Sequence, residues 1–369
     1  MNRNKLVLVS TLTAATLGVA GLAALALPAG ADVRPTLPDV AAEDLLSSVL
    51  SVEPPAMAGE ISVDNALGLP AIPGLPTQLA NGSSEVRVWY DGDGRSRVSL
   101  PGAAGEQTMV NDGTSVWTWD SGDRSVTKVT PDRDDKADRG EKSDRQAVDP
   151  ATAARELLAV VQPTSVISVD GTAMVADRPA YELVVAPAPT ERSLLREVRV
   201  AIDSETRLPL RLEVLANGTD DPVLSIGFDS LQVGAQDPAL FRYTPPAGVT
   251  VTEPDDSHAT EMDHEAPFGG VSPTIVGDGW DTVVVATLPD GLMSNDDADA
   301  DDQGHGPMGR RGSGLDPKAL LDRIGTAVEG PWGSGRLIST TVVSVIITED
   351  GRVAAGAVPQ QVLIEALSR

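Results

Sequence analysis

Cysteine is absent from this sequence, and aromatic residues make up only 3% of it. Without cysteine the chain has no disulfide, no thiolate metal site, no cysteine nucleophile and no N-terminal cysteine to carry a lipid. With so few aromatic rings, aliphatic side chains must supply most of any core. The length of 369 residues is enough for two modest domains with cores of their own.

Basic residues are also scarce. Lys and Arg number 28 against 54 Asp and Glu, so the formal net charge is −26. A charge of this sign and size opposes binding to nucleic acid or to an anionic membrane surface. It is typical of a protein that stays soluble outside the cell, and we expect no nucleic-acid partner.

Recognisable catalytic motifs are missing as well. The sequence has no Gly-x-Ser-x-Gly elbow, no His-Glu-x-x-His pair and no glycine-rich phosphate loop, and its 3 histidines fall in predicted loops. We therefore predict a protein that is not an enzyme and that needs no cofactor. A catalytic carboxylate pair stays open as an alternative, because no spacing singles out one pair among so many acids.

One stretch has part of a calcium-loop pattern. Asp297, Asp299 and Asp301 have the spacing of the first calcium ligands. The sixth position is Asp302 instead of glycine, and the twelfth is Met308 instead of glutamate. We expect no specific calcium site from this pattern.

A second stretch holds metal-ligating residue types without a metal-site context. His258, Glu261 and His264 lie in an acidic segment that is predicted to be a linker, and His305 lies among glycines. A metal site needs ligands held in place by neighbouring groups. We interpret these residues as surface polar groups and predict no metal site.

The first residues have the pattern of an export signal. Arg3 and Lys5 precede an apolar run from Leu6 to Leu27, and Ala29-Gly30-Ala31 is the small-residue pattern that signal peptidase cuts. We therefore predict a signal peptide over residues 1–31. An uncleaved membrane anchor is the alternative, since the run is about long enough to span a bilayer. Both readings place the rest of the chain in the extracytoplasmic space, secreted or in the cell envelope.

The most informative stretch runs from Ser84 to Asp120. Short segments alternate between apolar and polar residues and are separated by Asp-Gly turns, which predicts strands joined as hairpins. Three of the five tryptophans, Trp89, Trp117 and Trp119, fall in it. Trp117 and Trp119 are two residues apart, so we predict that they share one strand face. These rings either belong to a core or line a ligand cavity, and we take them as candidate ligand-lining residues.

An apolar segment precedes these strands. Residues 59–79 are rich in aliphatic residues but contain three prolines, so the segment cannot be helix or central strand throughout. An exposed apolar loop is typical of a cover over an apolar site or of a contact surface. Leu67, Leu69 and Leu75 are therefore also candidate ligand-lining residues.

Helices and further strands are predicted on both sides of these stretches. We predict a helix capped by Asp39 that runs to about Leu50, and a second helix opened by Asp149-Pro150. Between them lies a highly charged loop over residues 132–145, which is typical of a solvated segment. Strands at hairpin spacing follow and predict an antiparallel sheet: Ser125–Val129, Ser165–Val169, Ala180–Val185, Arg196–Ile202, Leu210–Leu215 and Val223–Leu231.

The chain changes character after residue 253. Residues 254–267 form an acidic linker, and residues 268–369 are predicted to form a smaller α+β domain with a disordered loop over 293–314. The elements predicted in this domain are a strand over Thr282–Leu288, a helix over Leu315–Val328, a hairpin of Leu337–Thr348 with Arg352–Val358, and a helix over Gln360–Leu367.

Several segments resemble the LolA/RseB-like superfamily of extracytoplasmic lipid- and lipoprotein-binding proteins when they are taken in order. They include RVWYDGDGRSRVSL, NDGTSVWTWD, VADRPAYELVV, AIDSETRLPLRLEV and FDSLQVGAQDPALFRYTPPAGVTV. The resemblance covers residues 39–253. It implies an α+β fold over residues 32–253: a half-open antiparallel β-barrel of about eleven strands, plugged by helices around an apolar cavity.

Two functions follow from this resemblance. The first is an exported binding protein that carries or senses lipid or lipoprotein acyl chains, working with an ABC transporter. The second is an RseB-like regulator that binds a membrane anti-sigma factor, because the C-terminal region resembles the segment that follows this domain in such regulators. The lipid carrier proper delivers to an outer membrane, and the sequence contains no sign of which envelope surrounds it.

Overall fold

The structure is a computed structural model, and it describes residues 34–67, 82–102, 105–130, 159, 161–253, 273–288, 321 and 323–369. The chain divides into two compact units. Unit 1 comprises residues 1–67, 71–188 and 196–256, and unit 2 comprises residues 68–70, 189–195 and 257–369.

Unit 1 is built on one 12-stranded sheet in the order β12-β6-β5-β4-β3-β2-β1-β11-β10-β9-β8-β7. Every strand pair with an assigned register is antiparallel except β12–β6. The strands are β1 (Met57–Asn65), β2 (Gly82–Tyr90), β3 (Ser96–Gly102), β4 (Gly105–Asn111), β5 (Val116–Asp120), β6 (Ser125–Val129), β7 (Ser165–Val175), β8 (Arg178–Pro187), β9 (Leu195–Asp203), β10 (Pro209–Ala216), β11 (Leu224–Val233) and β12 (Val251–Thr252).

The predicted antiparallel sheet is confirmed, and its hairpins depend on aspartates. In the β2–β3 turn, the Asp91 carboxylate accepts hydrogen bonds from the backbone N–H groups of Asp93 and Arg95, at 2.8 and 2.9 Å. In the β4–β5 turn, Asp112 accepts from the N–H groups of Thr114 and Ser115. Aspartate favours such turns because its side chain can bond to the backbone two or three residues later.

The sheet curls along its length. The backbone of β7 comes within 8 Å of β11, although three strands separate them in the sheet order. Val175 of β7 and Phe228 of β11 therefore share one core cluster with Met57 and Val88. The helix α1 (Ala42–Ser51) packs through Leu45 on a second cluster. That second cluster is formed by Tyr181, Leu183 and Ile202.

Unit 2 has a six-stranded sheet in the order β13-β14-β18-β17-β16-β15. The helix α2 (Gln360–Leu367) packs on one face through Val362, Leu363 and Ala366. Residues of the β8–β9 connection belong to this unit: the Arg192 guanidinium pairs with the Glu365 carboxylate at 2.8 Å. The strands are β13 (Thr274–Val276), β14 (Val283–Thr287), β15 (Thr326–Gly330), β16 (Gly333–Ser339), β17 (Ser344–Thr348) and β18 (Arg352–Gly356).

Several predictions for unit 1 were wrong in part. Residues 59–65 belong to the central strand β1 and not to an apolar loop, because they pair with both β2 and β11. The N-cap of helix α1 is Ala41 and not Asp39, so the cap residue makes no side-chain hydrogen bond. Asp170-Gly171 lies within β7 at a bulge, whereas we predicted that this strand ends at Val169. The β7–β8 turn is formed instead by Ala176 and Asp177, which both have positive φ.

Two predictions for unit 2 were wrong in part. The segment 337–348 contains two strands, because Thr340 closes a turn by bonding to the backbone of Val343. The helix predicted to reach Val328 ends before Gly325, since residues 326–330 form β15. A β-carbon on Gly325 would lie 2.9 Å from the Arg336 side chain, so the chain passes close to β16 at this point. The helix over Gln360–Leu367 is confirmed.

Several predictions fall outside the described residues. They concern the signal peptide, the charged loop 132–145, the helix opened by Asp149-Pro150 apart from Ala159 and Val161, the acidic linker with its histidines, and the aspartate-rich loop. Among the residues that the structure describes, no helix is both long and apolar enough to cross a membrane.

Candidate functional site

Strands β1–β6 have two faces that the registers identify. Residues directly opposite each other in an antiparallel pair point to the same face. Val88 lies opposite Val98, and both pack in the first core cluster, so we call their side of the sheet the core face. The other side carries Trp89, and we call it the tryptophan face.

All three candidate tryptophans lie on the tryptophan face. Trp89 is opposite Arg97, Arg97 is opposite Val110, and Val110 is opposite Trp117. Trp119 is two residues beyond Trp117 in β5 and therefore points the same way. The sequence pattern thus predicted correctly that Trp117 and Trp119 share one face of a strand.

The tryptophan face of β3–β6 is covered by the end of unit 1. The chain after β11 forms a 3₁₀ helix (Pro238–Phe241) and then the parallel strand β12. Phe241 is buried, and the Arg95 guanidinium lies 5.6 Å from the centre of its ring. The rings of Trp117 and Tyr243 are 5.5 Å apart. Aromatic contacts at this distance stabilise the packing of the segment on the sheet.

Two charged side chains contact Trp117 and fix its position on the tryptophan face. Its indole N–H donates to the Asp112 carboxylate at 2.9 Å, and the Lys128 ammonium lies 5.4 Å from the ring centre. Partial burial raises the pKa of Asp112, but hydrogen bonds from Ser115, Trp117 and Thr114 outweigh it, so the pKa lies below its usual range. The Trp117 indole is therefore held in place by Asp112, a residue of the β4–β5 turn that precedes its strand.

The core face of β4–β6, unlike their tryptophan face, has side chains exposed to solvent. Met109 lies opposite Val98 and Thr118, and Val129 lies opposite Val116. Met109 is 47% exposed and Val129 is 48% exposed, although the same face is buried at β1 and β2. We call this surface the exposed wall; its members are the exposed Met109 and Val129 and the half-buried Val116, Thr118 and Thr127.

The exposed wall is continuous with the core. One row across the strands runs from Val88 through Val98 and Met109 to Thr118. Along this row Val88 is buried, Val98 is half-buried, Met109 is exposed and Thr118 is half-buried, and all four side chains are aliphatic or weakly polar. Exposed apolar surface that extends a core is typical of a ligand or partner site. Sequence reasoning missed Met109 and Val129, because β4 has apolar residues on both faces and alternation alone does not identify the covered one.

The leucines predicted as lining residues are only partly described. Leu67 is half-buried, and its backbone N–H donates to the Asn65 side chain at 2.9 Å. Leu69 and Leu75 lie outside the described residues. The lining role of all six residues stays a prediction.

Within the described ranges, no group of three or more His, Asp or Glu side chains is arranged to hold a metal ion. Several charged residues there pair with one another. Arg178 and the fully buried Asp203 form two hydrogen bonds, one of them 3.0 Å long between Nη2 and Oδ1.

Comparison with known proteins gives matches among solved structures only. No family model and no curated protein matches the chain. The complex of MucA and MucB from Pseudomonas aeruginosa matches with 15% identity and a TM-score of 0.40, over 89% of this chain and 96% of that one.

Two further solved structures have lower TM-scores. A LolA superfamily protein from Nitrosomonas europaea matches with 12% identity and a TM-score of 0.23, over 56% of this chain and 99% of that one. A putative outer membrane lipoprotein-sorting protein domain from Vibrio parahaemolyticus matches with 8% identity and a TM-score of 0.20, over 50% and 89%.

Proposed function

We propose that this protein is an extracytoplasmic binding protein that takes up acyl chains of lipids or acylated proteins, without catalysis and without a cofactor. The observation that carries the proposal is the exposed wall. Met109 and Val129 present aliphatic surface to solvent on the side of the sheet that elsewhere forms the core. The segment preceding Asp32 would export the chain, which fits its large negative charge.

The curl of the sheet supports a half-open barrel as the shape of the site. The core face is the face that forms the cluster shared by β7 and β11, so an acyl chain on the wall would continue the apolar interior. Among the described strands, β12 and β7 end the sheet order without pairing to each other. A sheet that curls without closing leaves an opening for a long ligand.

The energetics suit such a ligand. Burial of apolar surface contributes about 25 cal/mol per Å², and each buried methylene contributes about 0.8 kcal/mol. An acyl chain needs no specific polar partner to gain this stabilisation. The proposed role is therefore compatible with a sequence that contains no recognised catalytic motif.

Lipid analysis of the purified full chain tests this function. We expect native mass spectrometry to detect a co-purified acyl compound. The variant Met109→Asp should carry about tenfold less of this compound or even less, because a carboxylate replaces apolar contact worth roughly 1.5–3 kcal/mol. Ile275→Asp in unit 2 is the matched control, since Ile275 is 46% exposed and equally apolar. Equal lipid content in both variants, or none in the wild-type chain, would overturn the proposal.

A second candidate function is regulation through a membrane protein partner such as an anti-sigma factor. Ile275 of β13 and Val284 of β14 are opposite each other and exposed, on the face away from α2. Exposed apolar pairs of this kind favour a protein contact. In one matched structure, MucB is in complex with MucA. A pull-down from detergent-solubilised envelopes tests this role: Ile275→Asp should lose the partner and Met109→Asp should keep it.

A further inference from the structure

The methionine thioethers are the only sulfur groups of this chain, because its sequence contains 7 methionines and no cysteine. Three of them lie in the described part of the chain, in strands β1, β4 and β7. Met57 is 6% exposed, whereas Met109 and Met174 are each 47% exposed. Oxidants of the peroxide class can therefore reach the sulfur atoms of Met109 and Met174, while packing shields that of Met57.

Met109 occupies the middle of the exposed wall. On one side it lies opposite the half-buried Val98, which packs in the first core cluster, and on the other side it lies opposite the half-buried Thr118. Within β4, its neighbours on the same face are Gln107 and Asn111. The thioether thus links the aliphatic surface of the core to the outer strands of the wall, beside uncharged hydrogen-bonding groups.

Oxidation by hydrogen peroxide would change the polarity of the wall at this position. A lone pair of the thioether sulfur attacks one peroxide oxygen and the O–O bond breaks. The departing hydroxide takes the proton from the oxygen now bound to sulfur and leaves as water, so sulfur is oxidised by two electrons and the peroxide is reduced by two. The sulfoxide oxygen is a hydrogen-bond acceptor, and an apolar chain that covered it would leave it without a partner. A thiol-dependent sulfoxide reductase reverses the change: two thiols become a disulfide, and water is released.

We propose that Met109 is a site of reversible sulfoxidation, and that its sulfoxide weakens the binding of an acyl chain to the exposed wall. This inference rests on the proposed function, because it describes how the chemical state of one wall residue regulates that function. Met174 is the internal comparison: it has the same exposure, but it lies in β7 opposite Pro179 and does not belong to the wall. Its oxidation should therefore leave binding unchanged.

Oxidation of the full chain with hydrogen peroxide tests the modification itself. Peptide mass spectrometry over time gives the sulfoxide fraction at each methionine. We expect Met109 and Met174 to be oxidised at rates within about threefold of each other and at least about tenfold faster than Met57, because susceptibility follows exposure. A methionine sulfoxide reductase with dithiothreitol should then return Met109 to the thioether. A Met109 that stays reduced while Met174 is oxidised, or a sulfoxide that the reductase leaves in place, would overturn the proposal.

Binding of monomyristoylglycerol before and after oxidation tests the effect on the wall. We expect oxidation to weaken binding by about tenfold in the wild-type chain and in Met174→Leu, since a polar oxygen interrupts the apolar contact. In Met109→Leu, the affinity after oxidation should equal the affinity of the same variant before oxidation, because leucine has no sulfur to oxidise. The reductase should restore the affinity of the wild-type chain.

The outcomes separate this inference from the function on which it rests. Oxidation that leaves the wild-type affinity unchanged would overturn the inference and leave the proposed function standing. The same holds if oxidised Met109→Leu loses as much affinity as the oxidised wild-type chain. An untreated wild-type chain that does not bind monomyristoylglycerol would overturn the proposed function itself.

Discussion

Met109 and Val110 are consecutive residues of β4 with opposite environments: Val110 is fully buried on the tryptophan face, whereas Met109 is 47% exposed on the core face. The covered side of the sheet therefore changes between β2, where Val88 is buried on the core face, and β4. The segment with Phe241 and Tyr243 covers one side of β4, and the described chain leaves the other side open. This change of covered face creates the exposed wall.

The buried pair of Asp203 and Arg178 predicts a large stability effect. The Asp203 carboxylate is fully buried and also accepts hydrogen bonds from Thr206. We expect Asp203→Ala to lower the free energy of unfolding by about 3–5 kcal/mol, because the Arg178 charge loses its buried partner. Glu205→Gln is the control: Glu205 contacts the same arginine but is exposed, so its loss should cost less than about 1 kcal/mol. Urea denaturation measures both, and equal effects would contradict this account.

Stability should also depend on pH through three aspartates. Burial raises the pKa of Asp203, Asp112 and Asp91, but their hydrogen bonds outweigh burial and hold each pKa below its usual range. A carboxyl whose pKa is lower in the folded state stabilises the fold above its unfolded pKa of about 4, and this stability is lost as the pH falls through the folded pKa. We expect the free energy of unfolding to fall below about pH 5. Asp203→Asn should flatten that decline, and an unchanged decline would argue against a role for Asp203.

Gly59 provides a test of the core packing. A β-carbon at this position would lie 2.5 Å from the ring of Phe228 on β11, so the ring occupies the space that a side chain would need. We expect Gly59→Ala to destabilise unit 1 by about 1–3 kcal/mol through overpacking. The double variant Gly59→Ala, Phe228→Leu should cost less than the sum of its two single changes. Additive costs in thermal denaturation would show that the two positions do not touch.

Removal of the Tyr243 hydroxyl should not lower the stability of the protein. This hydroxyl is buried without a hydrogen-bond partner among the described residues, and burial raises its pKa. A buried hydroxyl without a partner costs about 1–3 kcal/mol. We therefore expect Tyr243→Phe to leave stability unchanged or to increase it, and Tyr243→Ala to lower it through loss of the contact with Trp117. Tryptophan fluorescence during denaturation follows both variants; a destabilising Tyr243→Phe would reveal a missing partner.

Local pattern was sufficient to predict most strands and turns of unit 1, but it left the central strand β1 within an apolar loop. Alternation and Asp-Gly pairs identified β5 and β6 and the turn at Asp112, because the backbone bonds of an aspartate turn involve only neighbouring residues. The bulge in β7 was predicted as the end of a strand, because local pattern contains no information on distant pairing. A glycine with positive φ at residue 171 fits a turn and a bulge equally well, and only the pairing of Thr172 with Tyr181 decides between them.

The face occupied by each tryptophan needed contacts that are distant in sequence. Trp117 meets Tyr243, and no local pattern links β5 to a segment after β11. Periodicity placed Trp117 and Trp119 on a common face but carried no information on what covers that face. The wall residues were missed because an exposed methionine next to a buried valine leaves both faces of β4 apolar in sequence.

Photo-cross-linking of an acyl probe tests the central claim most directly. A monoacylglycerol with a diazirine in its acyl chain would be bound to the full chain, activated, and its attachment sites assigned at residue level by mass spectrometry. The account predicts attachment at Met109, Val116 or Val129 on the exposed wall. Attachment at Trp89, Trp117 or Trp119, on the opposite face of the same strands, would contradict it.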